Sequence, residues 1–315
     1  MNSSTRRDFA AELSALDARV NAFLPPRYQH CYSEVAPTSM GSASLKYGPD
    51  GKVAWDQVWT TFCDLALAGG PPHRGKLMEP VAEAEVQAHP RQYADVVAEL
   101  DRAIGLTSGV PVSQGYAPGW IGIPCKTQAE AAWLQFAVNA ENVSARRRGN
   151  VLQLPAGPAF RAEKEIKNVV VALAKAIHYW DGHLTDAQQT LAGQGAWEPP
   201  SPAEAAANPA EYEAAMGELE NALRDAGMTV SPRRYTGWVG VETPGEEEAV
   251  WLLRAVLVEP ALARREEHVL YLPINLNPEP GRTVRVVAAV TRAWELWQAS
   301  RTARRPTWRA SDRPR

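Results

Sequence analysis

The feature that most constrains the fold of this chain is a stretch of sequence, Gly119 to Trp180, that recurs near the C-terminus. Many residues are identical in the two stretches, and eleven of the identical pairs are separated by the same difference of 118 in residue number. Because a constant spacing over many identities is hard to obtain by chance, we infer an internal duplication. The matched pairs are Trp120/Trp238, Gly122/Gly240, Trp133/Trp251, Leu134/Leu252, Glu141/Glu259, Arg146/Arg264, Arg147/Arg265, Val151/Val269, Leu152/Leu270, Leu154/Leu272 and Pro155/Pro273.

Each copy has the pattern of a unit built from helices and strands. Gly119–Ile123 mixes β-branched residues with glycine, which favours a short strand, and the Ala-rich segment Ala129–Asn142 favours a helix. Arg148-Gly149-Asn150 predicts a hairpin turn, and apolar residues recur at three- and four-residue spacing over Glu163–Trp180. With a lead helix beginning at Pro90, the unit reads α-β-α-β-β-α. We therefore predict an α+β protein with duplicated two-layer α/β sandwich units.

The rest of the chain divides around these two copies. A helix is expected over residues 8–20, and another over 54–68. Trp59 and Phe62 repeat the spacing of Trp133 and Phe136, so a degenerate third copy at the N-terminus is a further hypothesis. The predicted parts are an irregular N-terminal α/β unit (1–88), a central α/β repeat (89–196), a Pro- and Ala-rich linker (197–207), a C-terminal α/β repeat (208–300) and a disordered Arg-rich tail (301–315).

Composition narrows the class of protein. A hydrophobic content of 45% with 22% charged residues is typical of a soluble globular protein, and a net charge of -3 gives no support to a polyanionic partner. The three cysteines have no paired spacing, which favours reduced thiols and a cytoplasmic location. Neither a signal peptide nor an apolar run of about 20 residues is present, so no membrane association is expected.

The first candidate site is the loop Gly69–Lys76, in which two glycines and two prolines precede His73, Arg74 and Lys76. A stiff loop of this kind could present cations to a phosphate or carboxylate, because the guanidinium of Arg can pair with both oxygens. The spacing is not that of a P-loop. The alternative is a glycine C-cap followed by a proline-stiffened turn with solvated charges.

A second candidate is the start of the helix near residue 163, where Lys164 and Lys167 oppose the helix dipole. That cost is easier to understand if an anion binds there, since helix N-termini attract anions. The matching residues of the other copy are Gly281 and Val284, so the fold does not require these charges. A solvated helix start is the alternative, because Glu163 and Glu165 satisfy the dipole.

Two histidine-containing segments invite a metal or a nucleophile. In the run Tyr28–Tyr47, His30 and Cys31 are adjacent, but neighbours on a strand point to opposite faces, so a structural strand is preferred to a thiol nucleophile. His178 and His183 are five residues apart, whereas helical zinc motifs use a spacing of four. We therefore predict no metal site.

Arginines occupy matched hairpin positions, Arg146–Arg148 in one copy and Arg264-Arg265 in the other. A repeated basic edge could bind nucleic acid, but the net charge and the lack of interleaved aromatic residues argue against this. Charged edge strands that prevent aggregation are the preferred interpretation. The repeated tryptophans are predicted to lie in the core.

We identify no motif from which a family or a cofactor could be named. The leading hypothesis is a cytoplasmic protein that binds a small anionic molecule where the N-terminal and central units meet. If it is an enzyme, His73 would transfer protons, and Arg74, Lys76, Lys164 and Lys167 would bind the substrate. The alternative is a non-catalytic interaction or scaffold protein that docks on a protein partner, or on a second copy of itself, through its repeats.

Overall fold

The computed structural model describes residues 8–23, 44–61, 65–68, 70, 72–112, 117–192, 198–256, 258, 261–276 and 281–304. Within these ranges the protein is a mixed α+β structure with two small antiparallel sheets. One sheet lies in the central part of the chain, and the other lies in the C-terminal part.

The N-terminal part has less regular structure than the sequence predicts. Helix α1 spans Phe9–Phe23. The helix expected over 54–68 is wrong, because Trp55–Thr61 and Ala66–Ala68 are short 3₁₀ helices. The two ends of this segment are anchored to different elements: the Trp55 indole donates to Glu99 at 2.7 Å, and the Ala66 N–H donates to Glu141 at 3.0 Å. The described residues of this segment therefore form two short 3₁₀ helices, and residues 62–64 lie outside the described residues.

The central part contains one sheet with helices around it. Its strand order is β1-β3-β2, with both pairs antiparallel. A five-residue π-helical segment, Ala162–Ile166, leads directly into helix α5. The elements are α2 (Glu83–Ala88), α3 (Pro90–Ser108), β1 (Trp120–Pro124), α4 (Gln128–Ala140), β2 (Arg146–Arg148), β3 (Val151–Pro155), α5 (Lys167–His183) and α6 (Asp186–Ala192).

The C-terminal part repeats this order with one additional strand. Its sheet has the order β4-β5-β7-β6, and β4 was not predicted. The corresponding strands begin and end 118 residues after those of the central part, so β5, β6 and β7 match β1, β2 and β3. The elements are α7 (Pro202–Ala207), α8 (Pro209–Asp225), β4 (Thr229–Tyr235), β5 (Trp238–Glu242), α9 (Glu246–Val256), β6 (Arg264–Glu266), β7 (Val269–Pro273) and α10 (Arg282–Arg304).

Local sequence explains where these elements begin and turn. Pro90 and Pro209 occupy the first turns of α3 and α8, where a missing N–H has no cost. Thr127 caps α4 by accepting the Glu130 N–H at 3.0 Å. The β2–β3 turn uses Gly149 at φ 62°, as the hairpin prediction required, whereas the β6–β7 turn places Glu267 at φ 51°.

Two predicted boundaries need correction. The linker assigned to 197–207 contains helix α7, which starts with a capping box formed by Ser201 and Glu204. This helix matches α2, and Glu79-Pro80 before α2 matches Glu198-Pro199 before α7. Helix α10 continues to Arg304, so the first residues assigned to the tail, 301–304, are helical. Residues 305–315 lie outside the described residues.

The repeated tryptophans lie in the core, as predicted, with the exception of Trp120, which is only partly buried. Trp133 contacts Trp180 with ring centroids 6.1 Å apart, and the matched Trp251 and Trp297 are 5.3 Å apart. All four side chains are buried. Trp133 is on α4 and Trp180 on α5, so their contact joins these two helices. Trp251 and Trp297 join α9 to α10 in the same way.

The described residues of 1–88 contact both the central and the C-terminal parts of the chain. Helix α1 packs on α6, α9 and α10, and the Arg19 guanidinium on α1 donates to the Val258 carbonyl at 2.8 Å. The segment 65–78, here named the junction loop, lies between the central and C-terminal parts. Phe62 is outside the described residues, and residues 44–82 show only 3₁₀ turns and isolated bridges where described. A degenerate third copy therefore stays a hypothesis.

Candidate functional site

The junction loop is held by a buried carboxylate at the end of α4. Glu141 accepts hydrogen bonds from the backbone N–H of Ala66 at 3.0 Å and of His73 at 2.7 Å. The Lys175 ammonium on α5 donates to the same carboxylate at 2.7 Å. The side chains of Lys175 and Glu141 are 1% and 0% exposed. A buried charge is tolerated only when it is paired and hydrogen-bonded, and Glu141 obtains both kinds of partner here.

The next residue, Asn142, joins the junction loop to the second sheet. Its side-chain amide donates to the carbonyls of Arg74 and Arg265, both at 2.8 Å. Its side-chain oxygen accepts from Arg264 at 3.1 Å. Asn142 adopts φ 61°, a left-handed conformation that asparagine tolerates better than most residues. The backbone of Asn142 also accepts from the Met78 N–H at 2.8 Å, which fixes the end of the loop.

A second buried carboxylate, Glu266 on β6, holds the other end of the junction loop. It accepts from the Leu77 N–H at 3.0 Å and from the Tyr235 hydroxyl at 3.0 Å. Arg264 pairs with it at 2.8 Å, and both of these side chains are 0% exposed. Glu266 therefore uses one cation, one hydroxyl and one backbone N–H, a set of partners like that of Glu141.

Three aromatic rings surround the Arg264 guanidinium. Its central carbon lies 4.1 Å from the Tyr271 ring centroid, 4.5 Å from that of Tyr235 and 5.1 Å from that of Trp238. A guanidinium at these distances gains cation–π attraction, which is strongest when water is excluded. Burial lowers the pKa of Arg264, although Glu266 opposes that shift. Burial and the bond to Glu266 raise the pKa of Tyr235 to about 12, so this hydroxyl stays a donor.

His73, the residue predicted to transfer protons, is largely buried in the junction loop. Burial lowers its pKa to about 4; Glu141 opposes this shift, and the charges of Lys175, Lys167 and Arg74 contribute to it. The imidazole is therefore neutral at physiological pH, whereas the sequence argument assumed an ordinary pKa. Its Nδ1 atom is buried and has no hydrogen-bond partner among the described residues.

Arg74 and Lys76, predicted to bind substrate, differ in their surroundings. Arg74 is partly buried, and its Nε donates to the Lys76 carbonyl at 3.1 Å. Burial lowers the pKa of Arg74, and the neighbouring Glu165 and Tyr235 raise it. Lys76 is exposed on the outside of the loop.

The two lysines predicted at the helix start, Lys164 and Lys167, differ in their exposure to solvent. Lys164 has a side chain that is 59% exposed and pairs with Glu165 at 3.5 Å. Lys167, the first residue of α5, is 6% exposed, and burial lowers its pKa. The charges of Lys167 and Arg74 both lower the pKa of His73. We name His73, Arg74 and Lys167 the junction cluster; Lys76 and Lys164 lie on the exposed surface.

Sequence reasoning missed Glu141, Asn142 and Glu266, which organise the site. One signal was available for Glu141, because it directly follows an apolar helix and is identical in the two copies. For Glu266 the repeat was misleading, since its matched residue is Arg148. Nothing in the local sequence shows that either carboxylate would accept the backbone N–H groups of a loop from elsewhere in the chain.

Of the two histidine-containing candidates, the structure describes His178 and His183 but not His30 and Cys31. Residues 28–43, including His30 and Cys31, lie outside the described residues, while Tyr47 donates to Glu163 at 2.5 Å beside the junction cluster. The argument that His178 and His183 do not share a face is wrong, because their Nε2 atoms are 3.2 Å apart at the end of α5. In the part of the chain that the structure describes, no group of three or more metal-ligating side chains is present.

The matched arginines do not form a repeated basic edge. Arg264 and Arg265 are both 0% exposed, so the expectation of an exposed edge strand is wrong for the second copy. Arg265 donates to Glu246 at 2.7 Å and to the Gly70 carbonyl at 3.3 Å. In the first copy Arg146 is partly exposed and pairs with Glu204 at 2.7 Å. A continuous nucleic-acid-binding face through both hairpins is therefore absent from the described residues.

Comparison with known proteins gives no family for this chain. Neither a scan of protein-family models nor a search of curated proteins finds a match. Among the helices that the structure describes, none combines the length and the apolar character needed to cross a membrane.

Proposed function

We propose that the protein binds a small phosphate- or carboxylate-bearing molecule at the junction cluster, where the junction loop meets the start of α5. The observation that supports this proposal is that the charges of Arg74 and Lys167 both lower the pKa of His73, whose Nδ1 atom is buried, and that burial lowers the pKa of both cations. Cations removed from water attract an anion more strongly than surface cations, because the local dielectric constant is lower.

In this proposal the contacts to the ligand come from side chains rather than from the loop backbone. The N–H groups of Ala66, His73 and Leu77 already donate to Glu141 or Glu266. Arg74 would pair with two anionic oxygens, and Lys167 would supply a point charge. His73 would donate from Nδ1 as a neutral imidazole, since a pKa of about 4 makes it a hydrogen-bonding group rather than a proton shuttle near pH 7.

The proposal includes the organisation of the chain. We infer that residues 79–183 and 198–304 are two copies of one two-layer α/β unit, because β5, β6 and β7 lie 118 residues after β1, β2 and β3 and the matched residues of the helices recur at spacings of 117 to 119. A cytoplasmic location is part of the same proposal. It is supported by Cys125, which is buried and has a pKa raised to about 12, as expected of an unreactive thiol.

Thermal stability in the presence of anions tests the binding proposal. Wild type, Arg74→Ala and Lys76→Ala would be melted with inorganic phosphate, phosphorylated sugars, nucleotides and di- and tricarboxylates. A ligand that binds only the native state adds about 2.7 kcal/mol at a hundredfold excess over its dissociation constant. We expect one anion class to stabilise wild type and Lys76→Ala but not Arg74→Ala. Equal stabilisation of all three proteins would place binding elsewhere.

A second function, docking on a protein partner, is favoured by the way the junction loop is held. Glu141 and Glu266 bind the loop at both ends and join it to Asn142 and Arg265, so the loop is explained as a structural connection between the repeats. If no anion stabilises the wild type, the result favours docking on a protein partner over anion binding. Affinity purification with the whole chain as bait, compared with a variant altered on the exposed apolar surface at Val284, would then identify the partner.

A further inference from the structure

The last turn of α5 brings two histidine side chains together at the surface. The Nε2 atoms of His178 and His183 are 3.2 Å apart, and their ring centroids are 4.9 Å apart. The Leu184 N–H donates to the Tyr179 carbonyl, five residues earlier, at 3.1 Å. A hydrogen bond over five residues makes this turn wider than an α-helical turn, so side chains five residues apart come closer to one face. The two imidazoles therefore meet although a regular α-helix would separate them.

A buried tyrosine holds this histidine pair in place. Tyr179 is 6% exposed, and its ring centroid lies 4.9 Å from that of His183 and 5.6 Å from that of His178. Contact with a fixed ring restricts both imidazoles, so less conformational entropy is lost when their two nitrogens bind one ligand. His178 is exposed and His183 is partly exposed, so the pair lies at the protein surface.

The distance between the two nitrogens fits a shared metal ion. An imidazole nitrogen binds Zn²⁺ at about 2.0–2.1 Å, so two nitrogens at a tetrahedral angle are about 3.3 Å apart. With bonds of the same length at the right angle of an octahedral or tetragonal site, the nitrogens are about 2.9 Å apart. The 3.2 Å between the Nε2 atoms of His178 and His183 lies between these two values.

The electrostatic surroundings also suit a cation. The C-terminal end of a helix carries a partial negative charge, which attracts positive ions. His183 is the last residue of α5, so the pair lies at this end. Lys126 is paired with Asp181 at 3.3 Å, so a carboxylate balances the charge of this lysine.

The C-terminal unit shows that the fold does not need the two imidazoles. The positions 117 residues after His178 and His183 are Glu295 and Ser300 on α10. Trp180 and its counterpart Trp297 nevertheless make the same tryptophan contact in both units. The helix therefore packs on its unit without histidine at these positions, and the histidine pair is an added feature of the central unit.

We propose that His178 and His183 form a two-histidine chelate for a late first-row divalent cation such as Cu²⁺, Ni²⁺ or Zn²⁺. Each Nε2 supplies a lone pair to the ion, and water fills the remaining positions. In the hydrogen bond between the rings, one Nε2 carries a proton, and that proton moves to Nδ1 when the ion binds. His178 lies eleven residues after Lys167 of the junction cluster, about 16 Å along α5. The metal and anion proposals therefore succeed or fail independently.

Titration calorimetry of the untagged full chain with CuCl₂, NiCl₂, ZnCl₂ and MgCl₂ tests the proposal. We expect Cu²⁺ to bind at least tenfold more tightly than Zn²⁺, following the general order of divalent affinities, and Mg²⁺ not to bind, because it prefers oxygen ligands. Zn²⁺ should shift the imidazole nitrogen signals of His178 and His183 in NMR spectra. No binding of Cu²⁺, Ni²⁺ or Zn²⁺, or no shift of these two rings, overturns the proposal.

Variants locate the ion. His178→Gln and His183→Gln each remove one ligand, and each should weaken Ni²⁺ binding at least tenfold, because one imidazole alone cannot chelate. His89→Gln removes another exposed histidine, at the start of α3, and should leave the affinity unchanged. Melting curves establish that each variant is folded. An unchanged affinity in folded His178→Gln and His183→Gln, or an equal loss in His89→Gln, places the ion elsewhere and contradicts the assignment.

Discussion

The central and C-terminal units hold matched cations in opposite ways. Lys175 on α5 is 1% exposed and pairs with Glu141, whereas its counterpart Arg292 on α10 is 58% exposed and pairs with Glu12. For the hairpin arginines the buried cation belongs to the C-terminal unit, because the Arg264 side chain is 0% exposed and the matched Arg146 side chain is 22% exposed. Each unit therefore buries one of two matched cations and leaves the other at the surface.

This difference shows that position in the repeat does not decide whether a charge is buried. The N-terminal segment decides it, since the junction loop supplies backbone N–H donors to Glu141 and to Glu266. A carboxylate in the core needs several donors, and a single cation does not supply them. Where helix α1 packs instead, Glu12 meets Arg292 in a solvated ion pair.

The largest expected effect comes from breaking the buried pair of the central unit. Lys175→Met leaves Glu141 charged and buried, and we expect the free energy of unfolding to fall by about 3–5 kcal/mol. The matched change Arg292→Met breaks a surface pair and should cost about 0–1 kcal/mol. Urea denaturation followed by circular dichroism measures both values.

A double variant identifies the cause of that loss. If the unpaired charge of Glu141 is responsible, Glu141→Gln combined with Lys175→Met should be more stable than Lys175→Met alone. Equal losses for Lys175→Met and Arg292→Met would show that the two units do not differ in how they hold this cation.

The hairpin arginines offer the same comparison with the units exchanged. Arg264→Leu removes the partner of Glu266 and the cation from the aromatic cluster, and should cost about 3 kcal/mol. Arg146→Leu removes a partly exposed pair with Glu204 and should cost under about 1 kcal/mol. The same denaturation experiment applies. A larger cost for Arg146→Leu would reverse the assignment of buried and exposed cations.

Local sequence was sufficient for most helices and strands. The Gly149 turn and the prolines that start α3 and α8 act over a few residues, so their spacing predicts structure directly. The repeat extended this information to the second copy, where β5, β6 and β7 follow β1, β2 and β3. The 3₁₀ segments at 55–68 were mispredicted because distant groups anchor their ends.

The site could be predicted only in part, because its contacts are between residues far apart in sequence. His73 and Arg74 were identified from the composition of one loop, and Lys167 from a comparison of the copies. Glu266 binds Leu77 across a separation of 189 residues, which no spacing rule describes. The pKa of His73 depends on burial and on the charges of Glu141 and Lys175, so residue type alone gave the wrong expectation for its titration.

The smallest expected effect is on the pH dependence of stability. It tests whether water is excluded from the junction loop around His73. His73 has a folded pKa of about 4, below its unfolded value, so the neutral form is favoured by folding. Its stabilising contribution is complete above about pH 6.5 and is lost as pH falls towards 4. Between pH 7.5 and 4.5, wild type should lose about 2 kcal/mol more stability than His73→Gln, because part of the ring remains near solvent.

The exposed His89, at the start of α3, provides the control for this measurement. His89→Gln removes an exposed imidazole that lies outside the junction loop, and its stability would be measured over the same pH range. All carboxylates are shared by the three proteins, so their titration cancels in the comparison. If His73→Gln and wild type lose stability equally on acidification, His73 is solvated, and the desolvated junction on which anion binding depends does not exist.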